Sequence, residues 1–439
     1  MQEKTTQKVV TRFAPSPTGH FHVGGIRSAL FNFLFARQNG GTYILRSEDT
    51  DKERSKKEYE NEFLEIFDWL GLKYDQFFRQ SERLDLHQKY IKKMIDAGQA
   101  YLSKEVPTEE GQREEVIRFK NPNKKITFND LVLGEITVDT TDLGDFIIAR
   151  DINEPLYHLA AVIDDFEMGV THVIRGQEHA PNTPRQILIQ EAIGAPRPIY
   201  AHLPLILNKE RAKLSKRDES VLPAIEYKKH GYLPDALLNF MALNGWNPGG
   251  EQEIFTLPEL IKKFEVSRVQ KSGGIFNPEK LEWLNKEHIK LLPKEEIEKN
   301  ILEWLPENMR NPKIVPLVLE RISKWGDIND MVARGELDFF FKQPEYSKEK
   351  LIFKNSSAEK ISENIKEAIK ALEILDEKDF NQENIKNTLM SIADKLESRG
   401  ELLHPVRFAL SGLDKSPDPF IIAEILGKNE TLSRLQKAI

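Results

Sequence analysis

Two short segments of this chain carry residue types that suit a polyphosphate. The first is the loop 15–25, PSPTGHFHVGG, which follows a strand-like run and precedes a helical pattern. Free backbone N–H groups and the helix dipole make such a helix start an anion site. His22 adds a directional donor, and Gly24 and Gly25 let the backbone approach a ligand closely. The alternative interpretation is an ordinary turn with a surface histidine.

The second segment is KLSKR, residues 213–217, which follows a strand-like run at 204–207. Its three cations and one hydroxyl would neutralise a triphosphate and stabilise the charge that develops on a leaving pyrophosphate. Taken alone, a basic pentapeptide is usually solvated surface or a nonspecific RNA contact. The order of the two segments along the chain therefore carries more information than either segment.

The elements around the first loop follow a strand–helix–strand order. Residues 9–13 are strand-like, a helical pattern buries Ile26, Leu30 and Leu34 on one face, and residues 43–46 form a second strand-like run. Two glycines at 40–41 end the helix. This order predicts a parallel sheet that binds ligands at the carboxyl ends of its strands.

The pattern changes twice further along the chain. Residues 79–150 read as an insertion, and the α/β pattern returns at 172–175 and 204–207. From about residue 218 the chain becomes mostly helical and rich in Lys and Glu. In that part, Ser356 and Glu359 are placed as a capping box for a helix with Ile361 on its apolar face.

Composition excludes several classes of chemistry. The 439 residues include no cysteine, so disulfides, thiolate zinc sites, iron–sulfur clusters and cysteine nucleophiles are impossible. The net charge of −7 does not decide whether nucleic acid is bound, because phosphate contacts need only a local basic surface. The N-terminus lacks a signal-peptide pattern, and no apolar run is long enough to span a bilayer. A cytoplasmic protein without membrane attachment is expected.

The paired segments resemble the signatures of class I aminoacyl-tRNA synthetases. Further blocks resemble the bacterial-type glutamyl-tRNA synthetases at residues 12–19, 28–37, 48–51, 79–83, 171–176, 182–184, 201–206, 231–239 and 280–285. The agreement is dense from about residue 9 to residue 285, apart from the insertion. The tail is looser, with similarity at 405–407 and 410–412. The resemblance implies ligation of glutamate to the terminal adenosine of tRNA, in translation, through an adenylate made from ATP.

The resemblance also implies site residues, which are expectations at this point. Those implied for ATP are Pro15, Thr18, Gly19, His22, Gly24, Gly25, Lys213, Leu214, Ser215, Lys216 and Arg217, of which His22, Lys213 and Lys216 are the implied catalytic residues. Those implied for glutamate are Arg12, Ser16, Glu48, Tyr157 and Arg175. ATP with Mg²⁺ is the expected cofactor, and zinc is not expected.

The implied glutamate residues have suitable chemistry. Two guanidinium groups, of Arg12 and Arg175, can fork onto the side-chain carboxylate, and Tyr157 can donate a hydrogen bond to it. Ser16 and Glu48 would hold the α-ammonium group. The alternative for both arginines is a structural ion pair at the end of a strand.

Other polar residues receive weaker interpretations. The pair Asp164–Asp165 is interpreted as satisfying backbone groups in a turn, outside the site. Glu178 and His179 lie near the pocket by resemblance, and a structural role is equally compatible with their positions.

The expected architecture is an α/β Rossmann-type class I catalytic domain with a small α/β insertion, followed by all-α stem-contact and anticodon-binding domains. The expected boundaries are 1–78 and 151–217 for the two catalytic halves, 79–150 for the acceptor-binding insertion, 218–292 for the stem-contact region and 293–439 for the helical anticodon-binding region. The expected partners are tRNA-Glu, L-glutamate and ATP, with tRNA-Gln left open, and the expected state is a monomer.

Four features depart from the family pattern, one of which is a shorter stretch between Asp75 and Arg79. Gly25 stands where the class signature has a second histidine, which glutamyl enzymes commonly lack. The segment 104–125 is compact and lacks the length and the cysteine-containing segment of some relatives. Ala161 stands where some relatives carry an asparagine near the α-carboxylate.

Four alternatives compete with a glutamate enzyme. Glutaminyl-tRNA synthetases share much of the pattern, but an unpaired guanidinium aimed at a neutral amide would be poorly compensated. A truncated relative that glutamylates a modified tRNA base lacks the residues after 285. A nucleotidyltransferase of the same superfamily lacks the long helical part and the 79–83 block. A non-catalytic RNA-binding paralogue is disfavoured by intact His22, Lys213 and Lys216.

Overall fold

A mainly parallel sheet organises the first of two units, Met1–Leu291 and Leu292–Ile439. The computed structural model describes residues 8–106, 114–214 and 222–439. The strands of the first unit are β1 (Val10–Phe13), β2 (Thr42–Ser47), β3 (Gln76–Arg79), β4 (Ala100–Lys104), β5 (Glu115–Phe119), β6 (Lys125–Asp130), β7 (Gly134–Asp139), β8 (Phe146–Ala149), β9 (His172–Gly176), β10 (Ile199–Leu203), β11 (Ile206–Leu207) and β12 (Gly274–Ile275). Its helices are α1 (Val23–Gln38), α2 (Lys57–Trp69), α3 (Leu84–Asp96), α4 (Tyr157–Glu167), α5 (Thr183–Ile193), α6 (Ala224–Lys229), α7 (Pro234–Leu243), α8 (Leu257–Lys263) and α9 (Pro278–Lys290).

Among the described residues, the main sheet has seven strands in the order β3-β2-β1-β9-β10-β6-β7. Six of these strands run parallel to one another: β3, β2, β1, β9, β10 and β6. The seventh strand, β7, pairs with β6 in the antiparallel direction. The predicted parallel strand–helix–strand unit is confirmed by β1, α1 and β2. The chain therefore returns at β9 to the edge of β1, which places the carboxyl ends of β1, β2 and β9 side by side.

Helix α1 is buried on nearly every side. Its residues Ile26, Leu30, Phe31 and Leu34 have no exposed surface, because the helix packs between the sheet and helices α7 and α8. The helix ends at Asn39, and Gly40 then turns the chain with a φ of +59°. A Cβ at Gly41 would lie 2.4 Å from the carbonyl oxygen of Val9, so that position requires glycine.

The segment interpreted as an insertion is divided between two sheets. Strands β4, β5 and β8 form a separate antiparallel sheet, whereas the hairpin of β6 and β7 continues the main sheet next to β10. Strand β6 alternates between exposed and buried residues and buries Ile126 and Phe128. That alternation is typical of a strand with one solvated face, which suits the edge of a sheet.

The residues after 222 in the first unit are helical, with one short strand. Strand β12 pairs in parallel with β11, which directly precedes the KLSKR segment. This pairing fixes the hairpin 206–214 onto the helical region that contains α6 to α9.

The second unit is helical, as the fold class predicted. Its helices are α10 (Lys294–Trp304), α11 (Val315–Arg321), α12 (Asp327–Ala333), α13 (Ala358–Ile374), α14 (Gln382–Ala393), α15 (Gly400–Ser411), α16 (Pro419–Leu426) and α17 (Lys428–Ala438). None of the described helices of the chain is both long and apolar enough to cross a membrane.

The predicted capping box of α13 is wrong by one residue. Ser357 is the N-cap, and its hydroxyl accepts a hydrogen bond from the backbone N–H of Lys360 at 3.2 Å. Ser356 instead donates its hydroxyl to Glu401 at 3.2 Å. Both adjacent serines are of a residue type that caps helices. The tertiary structure brings Glu401 close to Ser356, and Glu401 accepts the hydrogen bond from the Ser356 hydroxyl.

Candidate active site

The carboxyl ends of three neighbouring strands bring the predicted glutamate residues together. Arg12 lies near the end of β1, Glu48 directly follows β2, and Arg175 is the fourth residue of β9. Because parallel strands end at the same edge of a sheet, their side chains converge there. All three side chains are at least nine-tenths buried.

A buried ion-pair network joins two of these residues to helix α4. The Asp165 carboxylate accepts hydrogen bonds from Nε of Arg12 at 3.0 and 3.2 Å and from Nη1 of Arg46 at 2.7 Å. Nη2 of Arg46 then donates to Oε1 of Glu48 at 3.0 Å. Each buried charge therefore has an opposite charge beside it, as burial requires.

The interpretation of Asp164 and Asp165 as turn residues is wrong. Both lie within α4, and both accept hydrogen bonds from side chains. Asp164 binds Nε of Arg83 at 2.7 Å and Nε2 of His87 at 3.0 Å. A sequence signal for this arrangement exists, since two carboxylates inside an otherwise apolar helix need buried cationic partners.

Arg175 differs from the other arginines of the site because no carboxylate among the described residues forms an ion pair with it. Its Nε donates to Nε2 of His202 at 3.2 Å, and its Nη2 donates to the hydroxyl of Thr183 at 2.8 Å. Both acceptors are neutral. Among the described residues, Nη1 of Arg175 and both terminal nitrogens of Arg12 make no hydrogen bond, so three guanidinium nitrogens remain for a ligand.

The ionisable groups of the site influence one another. Burial raises the pKa of Tyr157, and the Glu48 carboxylate raises it further, whereas Arg175 and Arg12 lower it. Burial lowers the pKa of Arg175, and the nearby charge of Arg12 acts in the same direction. Burial also raises the pKa of Glu48 against the opposing charge of Arg46. Tyr157 is therefore within electrostatic reach of Glu48, Arg12 and Arg175.

The buried charges of this network leave one positive charge in excess. Arg12, Arg46 and Arg175 contribute three positive charges, and Glu48 and Asp165 contribute two negative charges. Asp164 is matched separately by Arg83. The pocket is therefore electrostatically suited to a ligand with a net charge of −1.

Two histidines beside the pocket add no charge at neutral pH. Burial and the nearby arginines lower the pKa of His158 to about 4, and burial and Arg175 lower that of His179 to about 4 as well. The rings of Tyr157 and His179 lie 6.1 Å apart between centroids. His179 thus borders the pocket as a neutral aromatic ring.

The loop 14–22 joins β1 to α1 and is held by the segment after β2. The backbone N–H of Glu48 donates to the carbonyl of Pro15 at 2.9 Å, and that of Lys56 donates to the carbonyl of Pro17 at 2.9 Å. Ser16 is exposed between these two anchors. The loop therefore carries Ser16 next to the backbone of Glu48, and Thr18 and Gly19 follow it toward the helix.

The start of α1 separates the two glycines by role. His22 is the N-cap with extended backbone, and no acidic residue occupies the first turn. A Cβ at Gly24 would meet nothing within 4 Å, so space is open above its backbone. A Cβ at Gly25 would lie 2.3 Å from the ring of Phe21. Gly24 thus faces open space, whereas Gly25 is needed for packing within the protein.

Backbone hydrogen bonds hold the described start of the KLSKR segment and the residues that follow the segment. Within it, Leu214 is partly buried, and its N–H donates to the carbonyl of Ile206 at 2.9 Å. After it, the N–H of Ala224 donates to the carbonyl of Phe21 at 2.7 Å. Lys213 is exposed on the hairpin, and the predicted residues Ser215, Lys216 and Arg217 lie outside the described residues.

A buried arginine, which the sequence did not single out, ties α1 to the KLSKR hairpin. Arg27 donates Nη2 to the carbonyl of Pro204 and Nη1 to the carbonyl of Asn244 at 3.1 Å. Asn244 donates in turn to the carbonyl of Ile275 in β12 at 3.0 Å. Helix α1 is therefore connected to the backbone just before β11 and, through Asn244, to β12.

Sequence reasoning missed Arg46, Asp165, Thr183 and His202. The first two complete the ion-pair network, and the last two hold Arg175. Asp165 is 153 residues from Arg12 in the chain, so no local spacing reports their contact.

The described residues contain no group of three or more histidine and carboxylate side chains arranged to hold a metal ion. Mg²⁺ commonly retains several waters and binds through substrate phosphates rather than through a protein cage. The donor set of this chain is therefore compatible with a Mg²⁺ ion that arrives on a nucleotide.

Comparison with known proteins gives consistent matches along the whole chain. The family model for class I tRNA synthetases (E and Q), catalytic domain, matches residues 8–115 and 105–283, and the model for the anticodon binding domain matches residues 283–439. A glutamate–tRNA ligase of Thermodesulfovibrio yellowstonii is 39% identical, over 98% of this chain and 99% of the relative. One of Aquifex aeolicus is 46% identical, over 64% of this chain and 67% of the relative. The crystal structure of a glutamate tRNA ligase from Elizabethkingia meningosepticum, in complex with its amino acid, aligns with a TM-score of 0.89 and 34% identity, over 98% of this chain and 99% of that one.

Proposed function

The chain belongs to the glutamate–tRNA ligase family of class I aminoacyl-tRNA synthetases, and we propose that the pocket around Arg12 and Arg175 binds its L-glutamate substrate. The activity is the ATP-dependent ligation of glutamate to tRNA. The proposal concerns which residues of this chain hold each reactant.

One observation carries the assignment of the pocket. Arg175 is buried without a carboxylate partner, and the buried network around it has one positive charge in excess. An unpaired buried guanidinium is costly unless a ligand supplies the opposite charge. Glutamate has two carboxylates and one ammonium group, so its net charge of −1 matches this excess. Glutamine is neutral overall and leaves the excess charge uncompensated.

The remaining pocket residues suit the other end of the amino acid. One carboxylate oxygen of Glu48 accepts a hydrogen bond from Arg46, and the second oxygen makes no hydrogen bond among the described residues. That oxygen can accept from the α-ammonium group, together with Ser16 on the adjoining loop. Tyr157 donates from its hydroxyl to a substrate carboxylate, and the raised pKa of Tyr157 keeps that hydroxyl protonated.

ATP is assigned to the loop 15–25 and to the segment 213–217. The open space above Gly24 and the N-terminus of α1 suit the nucleotide phosphates, with His22 as a donor at the same helix end. Lys213 and Lys216 are assigned to the triphosphate, and Mg²⁺ would neutralise part of its charge when bound on the nucleotide. The Phe21–Ala224 hydrogen bond supports a common site for both segments.

The proposed residues perform the reaction by positioning and charge stabilisation. The α-carboxylate of glutamate attacks the α-phosphorus of ATP, pyrophosphate leaves, and a hydroxyl of the tRNA 3′-terminal adenosine then attacks the adenylate carbonyl and releases AMP. Neither step forms a bond to the protein, so orientation of the reactants supplies the acceleration. Cationic side chains next to the leaving pyrophosphate lower the barrier of the first step.

Arg175→Ala tests the glutamate pocket. Loss of a charge-assisted contact in a buried site should raise the KM for glutamate on the order of 10- to 100-fold, with the KM for ATP unchanged. The measurement is steady-state aminoacylation at saturating ATP and tRNA. Arg197→Ala is the matched control, because it removes an exposed arginine of the same unit that pairs with Glu191. An unchanged KM for glutamate in Arg175→Ala would remove this residue from the pocket.

Charging assays test the specificity of the reaction. Purified tRNA-Glu and tRNA-Gln are each incubated with labelled glutamate and, in parallel, with labelled glutamine. The excess positive charge of the pocket predicts that glutamate is attached to tRNA and that glutamine is not. Glutamate on tRNA-Glu alone defines a discriminating enzyme, and glutamate on both tRNAs defines a non-discriminating one. Charging of glutamine would contradict the proposed pocket.

A further inference from the structure

A line of three buried side chains runs from the β6–β7 hairpin to the proposed glutamate pocket. Asp130 is the last residue of β6, His202 lies in β10, and Arg175 lies in β9. Oδ2 of Asp130 lies 2.6 Å from Nδ1 of His202, and Nε of Arg175 lies 3.2 Å from Nε2 of the same ring. The ring of His202 has no exposed surface.

The direction of each hydrogen bond in this line is fixed by the donors available. A guanidinium group has no acceptor, so Nε of Arg175 must donate and Nε2 of His202 must accept. The single ring proton of a neutral imidazole then resides on Nδ1 and is donated to Asp130. Burial lowers the pKa of His202 although the Asp130 hydrogen bond opposes this, so the ring is neutral at physiological pH.

Asp130 is itself held by the turn of the hairpin. Its Oδ1 accepts from the backbone N–H groups of Val132 and Leu133 at 2.9 Å each, and its carboxylate also accepts from the N–H of His202. These bonds and the His202 ring outweigh the effect of burial and lower the pKa of Asp130, which keeps it ionised. The acceptor for the His202 proton is therefore rigid and charged.

Neutral acceptors occupy one edge of the Arg175 guanidinium. His202 accepts from Nε, and Thr183 accepts from Nη2 at 2.8 Å, while the Thr183 hydroxyl lies 3.2 Å from Nε2 of His202. This leaves the terminal edge, with Nη1 and the second proton of Nη2, for bidentate binding of a carboxylate. A carboxylate that accepted directly from Nε would also orient the guanidinium group of Arg175, but it would neutralise the charge of that group.

We propose that Asp130 and His202 are positioning residues for glutamate: Asp130 fixes the tautomer of His202, and the neutral ring orients Arg175 without compensating its charge. The inference rests on the proposed glutamate pocket. The imidazole keeps the Asp130 carboxylate one ring away from Arg175, where its attraction for the guanidinium is weaker.

Asp130→Asn separates this role from simple packing. The amide oxygen can continue to accept from Val132 and Leu133, and the amide NH₂ then faces Nδ1 of His202. Nδ1 must accept, so the ring proton moves to Nε2, where it opposes Nε–H of Arg175. We expect the KM for glutamate to rise on the order of 10- to 100-fold, with kcat and the KM for ATP nearly unchanged.

A pair of substitutions at His202 supplies the conservative comparison. The amide of His202→Gln reaches the position of Nε2 and can present its oxygen to Arg175, whereas the shorter amide of His202→Asn reaches only the position of Nδ1. We expect a nearly normal KM for glutamate in His202→Gln and a raised KM in His202→Asn. Equal KM values in the two variants would overturn the proposal.

The tautomer gives a direct readout that does not depend on activity. In ¹⁵N-histidine-labelled protein, the His202 ring is assigned by its absence in His202→Gln. We expect a protonated Nδ1 and an unprotonated Nε2 in the natural protein, and the reverse in Asp130→Asn. An Nε2-protonated His202 ring in the natural protein would overturn the proposal, whatever the kinetic constants of the variants.

Two controls separate the failure of this inference from failure of the pocket. His87→Asn removes another buried histidine that is bound to an aspartate, so it should lower stability without raising the KM for glutamate. In the Arg175→Ala background, His202→Asn should add no further rise in KM. An additive rise would show that His202 does not act through Arg175, whereas an unchanged KM in Arg175→Ala alone would contradict the pocket itself.

Discussion

Asp164 and Asp165 are adjacent in the sequence and serve different partners. Asp165 accepts from Arg12 and Arg46 at the pocket, and Asp164 accepts from Arg83 and His87. Consecutive residues of an α-helix point about 100° apart, so the two carboxylates can reach different layers. Helix α4 thus connects the pocket to the start of α3 through two neighbouring side chains.

The Asp164 carboxylate is expected to make the free energy of unfolding depend on pH in the acidic range. Burial would raise the pKa of Asp164, but the His87 hydrogen bond and the charge of Arg46 outweigh it and lower the pKa to about 2. A carboxylate whose pKa is lower in the folded state than in the unfolded state stabilises the fold at pH values above its ordinary pKa of about 3.9. This stabilisation is lost as the pH falls toward 2. The contribution is about 2 kcal/mol.

The measurement is urea unfolding of the natural protein and of Asp164→Asn at pH 6 and pH 3. The stability difference between the two should narrow at pH 3, because the natural carboxylate loses about half of its stabilising effect there. A difference that stays constant with pH would contradict the lowered pKa. Asp68→Asn serves as the control, because Asp68 is exposed on helix α2.

At the scale of elements, the loop that enters α1 combines two requirements in adjacent glycines. Phe21 packs its ring against Phe13 and Phe67 at centroid distances of 5.8 and 6.1 Å. The absent Cβ of Gly25 makes room for that ring, whereas the absent Cβ of Gly24 leaves space that is open to a ligand. One glycine therefore serves packing, and the other suits close approach to a nucleotide.

Alanine at each glycine separates these two roles. Gly25→Ala should destabilise the protein by about 1–3 kcal/mol, because the Phe21 ring is held by its neighbours and cannot move aside freely. Gly24→Ala should leave the melting temperature unchanged or slightly higher and should raise the KM for ATP. Thermal melts and steady-state kinetics measure the two effects. A large drop in melting temperature for Gly24→Ala would contradict the open space above it.

The β6–β7 hairpin shows how an element predicted to lie in an insertion can serve the site. It adds the last two strands of the main sheet, and its turn holds Asp130 against His202. The exposed residues of β7 limit further pairing at this edge, as solvated edge strands commonly do.

At the scale of the whole molecule, the two family models divide the chain near the boundary between its compact units. The catalytic-domain model ends at residue 283, the anticodon-domain model begins there, and the first unit ends at Leu291. Each unit contains its own buried apolar side chains, so each can be expected to fold alone. The finer five-part division of the sequence stays a prediction.

Removal of residues 292–439 tests this division of labour. The fragment 1–291 should remain folded and bind ATP with the affinity of the full chain, because loop 15–25 and segment 213–217 are retained. Its affinity for tRNA-Glu should fall, because the region that matches the anticodon binding domain is lost. Circular dichroism, calorimetric titration with ATP and filter binding of tRNA at one fixed salt concentration measure these properties. Undiminished tRNA affinity would contradict the division.

The site residues Arg12, Glu48 and Arg175 were expected from the family resemblance. The other features that could be predicted from the sequence depend on local pattern: apolar periodicity predicted α1, and the strand–helix–strand order predicted the parallel sheet. These features follow from side chains a few residues apart, because helices and strands bury faces with fixed periods.

Which charges are paired depends on the tertiary fold and could not be predicted from local sequence. Both arginines were open to interpretation as structural ion pairs, and the fold made Arg12 a member of one but left Arg175 with neutral acceptors. In the sequence, Asp165 lies 153 residues from Arg12, and His202 lies 27 residues from Arg175. Contacts at such separations depend on the order of strands in the sheet, which brings β9 between β1 and β10, and no local spacing encodes that order.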